Sequence, residues 1–249
     1  MLIAPHRWLS ILEQVMEKPE KIVKEGEFKR TAKVSLSPWE EVCVNEAEWS
    51  IKKKLFAAVQ PFRRNIFWNN LLELHRKDVP PITPPLLYLE IRKGYLVERS
   101  YLITKWAEGE SLGQLITETA WSSEDDLIKI VKRATEIVSY LHNLGFVHGN
   151  LKWSNILIDP SRPVGIVLSD LERIKRSASF SDHGKDLARF VFSAYEHGME
   201  REVGDKIVSW YFWAAGYRPE AFDRGLLKNL AKWDYKYGKK LGRWNFSGD

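Results

Sequence analysis

The sequence predicts an α+β chain of two lobes, a small antiparallel-sheet lobe over residues 1–106 and a larger helical lobe over residues 107–249. Three observations predict it. Short stretches of alternating polar and apolar residues crowd the first half, with one helical stretch among them. A linker, Trp106-Ala107-Glu108-Gly109-Glu110, follows. Beyond it the apolar residues recur mostly at helical spacing. No internal repeat or low-complexity tract interrupts this order.

The elements follow in turn. From His6 to about Val23, the residues Trp8, Leu12, Val15 and Met16 are spaced for a leading helix packed on the first lobe. Phe28 to Leu36 alternates and reads as a strand, Ser37-Pro38 makes the turn, and Glu41 to Glu46 is the next strand with Val42 and Val44 on one face. Phe62 to Lys77 carries Phe62, Ile66, Leu71 and Leu74 at helical spacing. Pro80 to Pro85 breaks that helix. Leu86 to Glu90 and Val97 to Trp106 are strands, joined by a turn at Arg92-Lys93-Gly94. In the second lobe, Ser122-Ser123 followed by Asp125 and Asp126 starts a helix with acidic residues in its first turn. Ile128, Val131, Ile137, Val138 and Leu141 form its apolar face, and Gly145 stops it. Asp182 to Tyr195 is a further helix, and two or more helices fill the remainder.

Composition sets the limits. With 44% hydrophobic residues the chain has enough apolar side chain for a substantial core. The single cysteine, Cys43, excludes an intramolecular disulfide framework and a structural zinc site, and suits a reducing compartment. Met1 to Pro19 is broken by His6, Arg7, Glu13 and Gln14, which does not fit a secretory signal. No stretch is long and apolar enough to cross a bilayer. The expectation is a soluble cytoplasmic protein. A net charge of +5 admits an anionic partner such as a phosphate, a nucleotide or a lipid surface, and is too weak to indicate nucleic acid. His183-Gly184 and His197-Gly198 read as turn residues rather than ligands.

One stretch carries the chemistry: Phe146-Val147-His148-Gly149-Asn150-Leu151-Lys152-Trp153-Ser154-Asn155-Ile156-Leu157-Ile158. An apolar run from Val164 to Leu168 and then Ser169-Asp170-Leu171 follow it. The stretch follows H-x-D-L-x-x-x-N, with Asn150 at the aspartate position, and then a D-x-G-like strand end, the arrangement that serves phosphoryl transfer. Such transfer needs an amide oxygen and a carboxylate converging on Mg²⁺, and Asn155 and Asp170 are of the right types in register. Each has a plain structural alternative: Asn155 capping a turn, and Asp170 paired with Arg173 or Lys175.

The stretch from Gly145 to Leu157 resembles the catalytic loop of the bacterial lipopolysaccharide core kinases, the Kdo and heptose kinases of the protein-kinase-like superfamily. Asn70 to Pro80 resembles that family's leucine-rich helix and its exit. Tyr101 to Trp106, with Gly109 and Ser111-Leu112, resembles its fifth strand and hinge. The resemblance covers roughly Phe28 to Tyr195. It implies a bilobal protein-kinase-like fold using ATP and Mg²⁺. Lys152 then stands at the loop lysine that neutralises the transferred phosphate, Asn155 and Asp170 at the metal positions, and Thr104, Lys105 and Trp106 at the nucleotide-contacting hinge. It also implies lipopolysaccharide core or lipid A as substrate or ligand.

Three positions depart from that pattern. Asn150 stands where the family has its aspartate base, and a neutral amide is a very poor base; general-base help is worth about 10²–10⁴ in rate. Asn45 ends the strand Glu41-Val42-Cys43-Val44-Asn45 where the family has a phosphate-binding lysine. Lys52, Lys53 and Lys54 lie beyond that strand. Phe67 stands where that lysine's glutamate partner belongs, and Glu73 falls on nearly the opposite helix face at about 100° per residue. Loss of both members is coherent, since a lone buried carboxylate is costly. The sequence therefore predicts a pseudokinase that serves as a binding or regulatory module in cell-envelope biogenesis. The alternative is an active ATP-dependent kinase of a lipopolysaccharide core sugar.

The last helix carries Lys228, Lys232, Lys236 and Lys240 at four-residue spacing. Arg224, Lys239 and Arg243 add charge, and Trp233, Tyr235, Tyr237 and Trp244 lie between them. This basic stripe is either a solvated face or a docking surface for an anionic inner-membrane leaflet, with aromatic residues at headgroup level.

Overall fold

The computed structural model describes residues 5–37, 40–51, 54, 63–77, 81–118, 124–159, 165–216 and 220–241, with the backbone alone for 5–7, 37, 63–65, 221 and 233–241. The chain divides into two compact units. The first joins Met1–Leu72 to Thr83–Trp106, and the second joins Glu73–Ile82 to Ala107–Asp249.

In the first unit, helix α1 (Pro5–Glu17) precedes strands β1 (Lys21–Gly26), β2 (Lys29–Ser37) and β3 (Glu40–Glu48), helix α2 (Arg63–Arg76, counted with this unit as far as Leu72), and strands β4 (Pro85–Lys93) and β5 (Leu96–Lys105). The leading helix is shorter than its apolar spacing predicts. It ends at Glu17 because Pro19 disfavours helical backbone at Lys18, and Lys21–Gly26 pairs instead with β2. The sheet is antiparallel in the order β1-β2-β3-β5-β4. Register places Ala32, Val44 and Ile103 side by side. With Val34, Val42 and Tyr101 they form one buried face, against which Leu12 and Met16 of α1 pack. Thr31, Asn45, Leu102 and Tyr88 make a row on the other face. There Phe67 of α2 meets Tyr88 edge to face at 5.6 Å and Trp68 stacks on it at 6.3 Å.

The second unit holds β6 (Glu110–Ser111), α3 (Leu112–Glu118), α4 (Glu124–Asn143), β7 (Phe146–Val147), β8 (Ile156–Asp159), β9 (Gly165–Leu168), β10 (Lys175–Arg176), α5 (Phe180–Glu196), α6 (Arg201–Ala215) and α7 (Glu220–Leu241). The predicted linker gives way at Glu110 to β6, which pairs with β8. The start signal at Ser122-Ser123 lies outside the described residues, as do Lys52, Lys53 and Val164. Leu127, Val131, Ala134, Val138 and Leu141 bury the apolar face of α4, which packs on α6. Helix α5 packs on α7 so closely that a Cβ at Gly184 would lie 3.0 Å from the Leu226 nitrogen. His183 and Gly184 thus sit within a helix and not in a turn, as their composition suggested, because this contact requires a residue without a side chain. Pro81 accepts from the Leu168 nitrogen at 2.9 Å, tying the segment after α2 to β9.

Candidate active-site loop

The loop leaves α4 through β7, which pairs with β10 so that Val147 faces Lys175 and Phe146 faces Arg176. Its first anchor is Asp186 of α5, only 4% exposed. One Asp186 oxygen accepts the His148 backbone N–H at 2.5 Å and the other accepts that of Gly149 at 2.9 Å. Charge-assisted bonds of this kind are the strong class. Gly149 has φ of 77°, and a Cβ there would lie 2.8 Å from the Arg173 carbonyl oxygen, so only glycine fits. Behind Asp186, His142 lies 3.4 Å from the carboxylate through Nε2 and 2.7 Å from the Tyr211 hydroxyl through Nδ1. A carboxylate only accepts, so Nε2 carries the hydrogen and Nδ1 accepts from Tyr211. His183 stacks on His142 with ring centroids 4.5 Å apart and donates through Nε2 to the Ser177 carbonyl at 2.8 Å. Burial, then the neighbouring His142, pushes the His183 pKa below its ordinary value. Nearby, burial pushes the Asp182 carboxyl up, but hydrogen bonds from Lys175, Lys185 and Ser177 outweigh it and hold the group well below the usual carboxylate range.

The second anchor is apolar. Leu151 and Trp153 are fully buried, the Trp153 backbone N–H donates to the Ser193 hydroxyl at 3.0 Å, and the Trp153 ring stacks on His197 at 5.9 Å. Between these anchors Lys152 is half-buried at the start of the short turn Trp153–Asn155.

The polar centre follows from these anchors. His148 donates through Nε2 to the Ser169 carbonyl at 2.9 Å, and the Ser169 N–H donates to the Asn155 carbonyl at 3.0 Å. Strand β9 is thereby fixed beside the loop. Asp170 follows with φ of 55° and ψ of 49°, the one positive-φ residue other than glycine among the described residues. Its Oδ2 accepts the side-chain amides of Asn150 at 3.0 Å and Asn155 at 3.3 Å. Asn155 also donates to the Asn150 carbonyl at 2.8 Å. Asn150, Asn155 and Asp170 thus form one cluster. Asp170 pairs with neither Arg173 nor Lys175 among the described residues; Lys175 is bound to Asp182 at 2.7 Å. The donor types suit Mg²⁺, which Asp170 and Asn155 would hold with phosphate oxygens completing its shell; no group of three His, Cys, Asp or Glu side chains that could hold a metal occurs among the described residues.

The remaining candidate residues lie in the first unit. Asn45, half-buried, accepts from the Thr31 hydroxyl at 2.8 Å. Thr104 is buried opposite Cys43, Lys105 is exposed with its N–H on the Pro84 carbonyl at 2.8 Å, and the Trp106 N–H donates to the Glu41 carbonyl at 3.0 Å. Lys33, on the sheet face that carries Asn45, pairs with Glu41 at 2.6 Å and lies 5.1 Å over the Trp106 ring. Phe67 is committed to Tyr88, and Glu73 is bonded by Arg176. Sequence reasoning missed Asp186, His142 and Tyr211. The available signal was a polar residue on an otherwise apolar helix face, Asp186 amid Leu187, Ala188, Phe190 and Val191.

The fold and the loop define a protein-kinase-like protein. The Protein kinase domain family matches residues 93–191. Mouse sperm motility kinase 2B is 29% identical over 188 residues, 70% of this chain and 37% of the relative. Mouse sperm motility kinase 3A is 30% identical over 188 residues, again 70% of this chain and 35% of the relative. A zebrafish CaM kinase-like vesicle-associated protein is 31% identical over 108 residues, 43% of this chain and 24% of the relative. The chain thus spans little more than a third of the sperm motility kinases it matches. Among solved structures, WaaP in complex with acyl carrier protein aligns with a TM-score of 0.62 at 20% identity, covering 97% of this chain and 98% of that one. At that identity the likeness shows the fold alone.

Proposed function

We propose that this kinase-fold chain is a pseudokinase that binds a nucleoside triphosphate and transfers its phosphoryl group slowly or not at all. One observation carries the reading: the Asn150 amide donates to Asp170 at 3.0 Å, presenting an N–H where a general base would present an acceptor. The carboxamide cannot take the acceptor hydroxyl's proton, so the chain forgoes roughly 10²–10⁴ in rate. The commitment of Asn45 to Thr31 and of Phe67 to Tyr88 supports it, since neither supplies the ion pair that steadies the α- and β-phosphates. A bound Mg²⁺ would neutralise phosphate charge; Asp170 and Asn155 would hold it, and Lys152 would face the transferred group. The loop's likeness to lipopolysaccharide core kinases supports a role in cell-envelope biogenesis, with core sugar or lipid A as ligand, at the cytoplasmic face of the inner membrane. Exposed Lys228 and Lys232 on α7 support docking there; the side chains of the remaining stripe residues, Lys236 and Lys240, lie outside the described set. No helix among the described residues is long and apolar enough to cross a membrane.

The proximity of Asn155 to Asp170 favours a second reading, an active ATP-dependent phosphotransferase acting on a lipopolysaccharide core sugar. Thermal-shift titration with ATP, run beside a transfer assay on core oligosaccharide, separates the two. Stabilisation without transfer is expected. Transfer at an ordinary kinase rate defeats the pseudokinase reading, and no response to nucleotide defeats both. Asn150→Asp alone is expected to leave transfer far below that rate, because Asn45 and Phe67 remain.

A further inference from the structure

We propose that the Asn150 side chain stands in for a divalent cation at Asp170, so that this chain completes its site without metal. The inference rests on reading Asp170 as the position where a cation would bind. Asp170 Oδ2 accepts two amide N–H groups, from Asn150 at 3.0 Å and Asn155 at 3.3 Å, and Asn155 Nδ2 also reaches the Asn150 carbonyl at 2.8 Å. Each member of the trio is bonded to the other two. No cationic side chain pairs with Asp170 among the described residues.

Elementary electrostatics explains why an amide changes the behaviour of the site. A carboxylate at position 150 would set two like charges within hydrogen-bond distance, an arrangement that demands a cation or a shared proton. An amide removes the repulsion and supplies a donor in its place. The backbone holds the trio in this arrangement. Asp170 is in the left-handed region, and its neighbour Ser169 is bonded at both its N–H and its carbonyl, to Asn155 and His148. A cation that ligates Asp170 through Oδ2, the oxygen facing Asn150 and Asn155, must displace an amide N–H already bonded there, and the Asn155 amide that would join it is held by the Asn150 carbonyl. Metal binding therefore competes against hydrogen bonds already made, and nucleotide binding does not wait for metal.

The test uses the full chain with Mg²⁺ or Mn²⁺ alone and no nucleotide, comparing the wild type, Asn150→Asp, Asp170→Asn and the double variant. The wild-type Tm is expected to be the same in chelator and in millimolar Mg²⁺. Asn150→Asp is expected to melt roughly 3 °C or more lower in chelator and to recover in Mg²⁺, a recovery that the added Asp170→Asn abolishes. A wild-type shift with Mg²⁺ that Asp170→Asn removes overturns the inference and leaves Asp170 as a cation ligand. An Asn150→Asp protein indifferent to both ions overturns the inference and that reading together. Should Asn150→Asp fail to fold, Mn²⁺ paramagnetic resonance on the wild type still decides. Bound Mn²⁺ that Asp170→Asn releases overturns the proposal, and its absence upholds it.

Discussion

The loop is held at one end by Asp186, whose carboxylate takes two consecutive backbone N–H groups and is itself braced by His142. At the other end the side-chain amides of Asn150 and Asn155 converge on the Asp170 carboxylate. The first end is built from buried, charged and directional contacts that position backbone. The second carries an amide at position 150 and is polar and connected. The comparison places the loop's anchors apart from its polar cluster: the path is set from α5 and by the buried Leu151 and Trp153.

The sharpest way to break this comparison is Asp186→Ala. It strands the buried His148 N–H, at about 1–3 kcal/mol, and removes the acceptor of the exposed Gly149 N–H and the partner of buried His142, so a total loss of about 2–4 kcal/mol is expected from denaturant unfolding. A change under about 1 kcal/mol would mean that α5 does not set the loop. Gly149→Ala comes next. It forces a Cβ to 2.8 Å from the Arg173 oxygen at a φ of 77°, for about 1–3 kcal/mol, and hydrogen exchange of the loop should quicken with it. A smaller effect is tied to pH. The folded-state pKa of His183 lies below its ordinary 6.5, so the unfolded chain binds the proton more readily. The His183 contribution is therefore complete above pH 6.5 and is lost as the pH falls from there through the lower folded-state value. Asp182, Asp186 and His142 face it, and Asp182 keeps its own contribution until the pH drops below 3.8. His183→Gln should flatten the stability profile between these limits; an unchanged slope would assign that acid sensitivity to another group. Least of all, Asn45→Ala should cost about 1 kcal/mol, the worth of one Thr31 bond. A loss several times larger would make Asn45 part of the anchor rather than a replaced chemical position.

Much of the candidate site could be read from the chain because its members are close in sequence or come at fixed spacing. The loop from His148 to Asn155 and the aspartate after the next strand needed no tertiary knowledge to be grouped. Asp186, His142 and Tyr211 escaped because a polar residue on an apolar face looks the same in sequence whether it is exposed at a margin or buried as a tether. Glu73 was placed on the wrong face for a strand lysine, and only the fold supplied Arg176 as its partner.

By itself the sequence determined most of the alternation of strands and helices and the presence of an amide at position 150, since these depend on periodicity, turn chemistry and residue type. Only the tertiary structure decided that Asn150 turns its N–H onto Asp170, that Asp186 carries the loop and that Lys21–Gly26 leaves the leading helix for the sheet. Each of these is settled by which distant group competes for a hydrogen bond, and local spacing carries no information about that competitor.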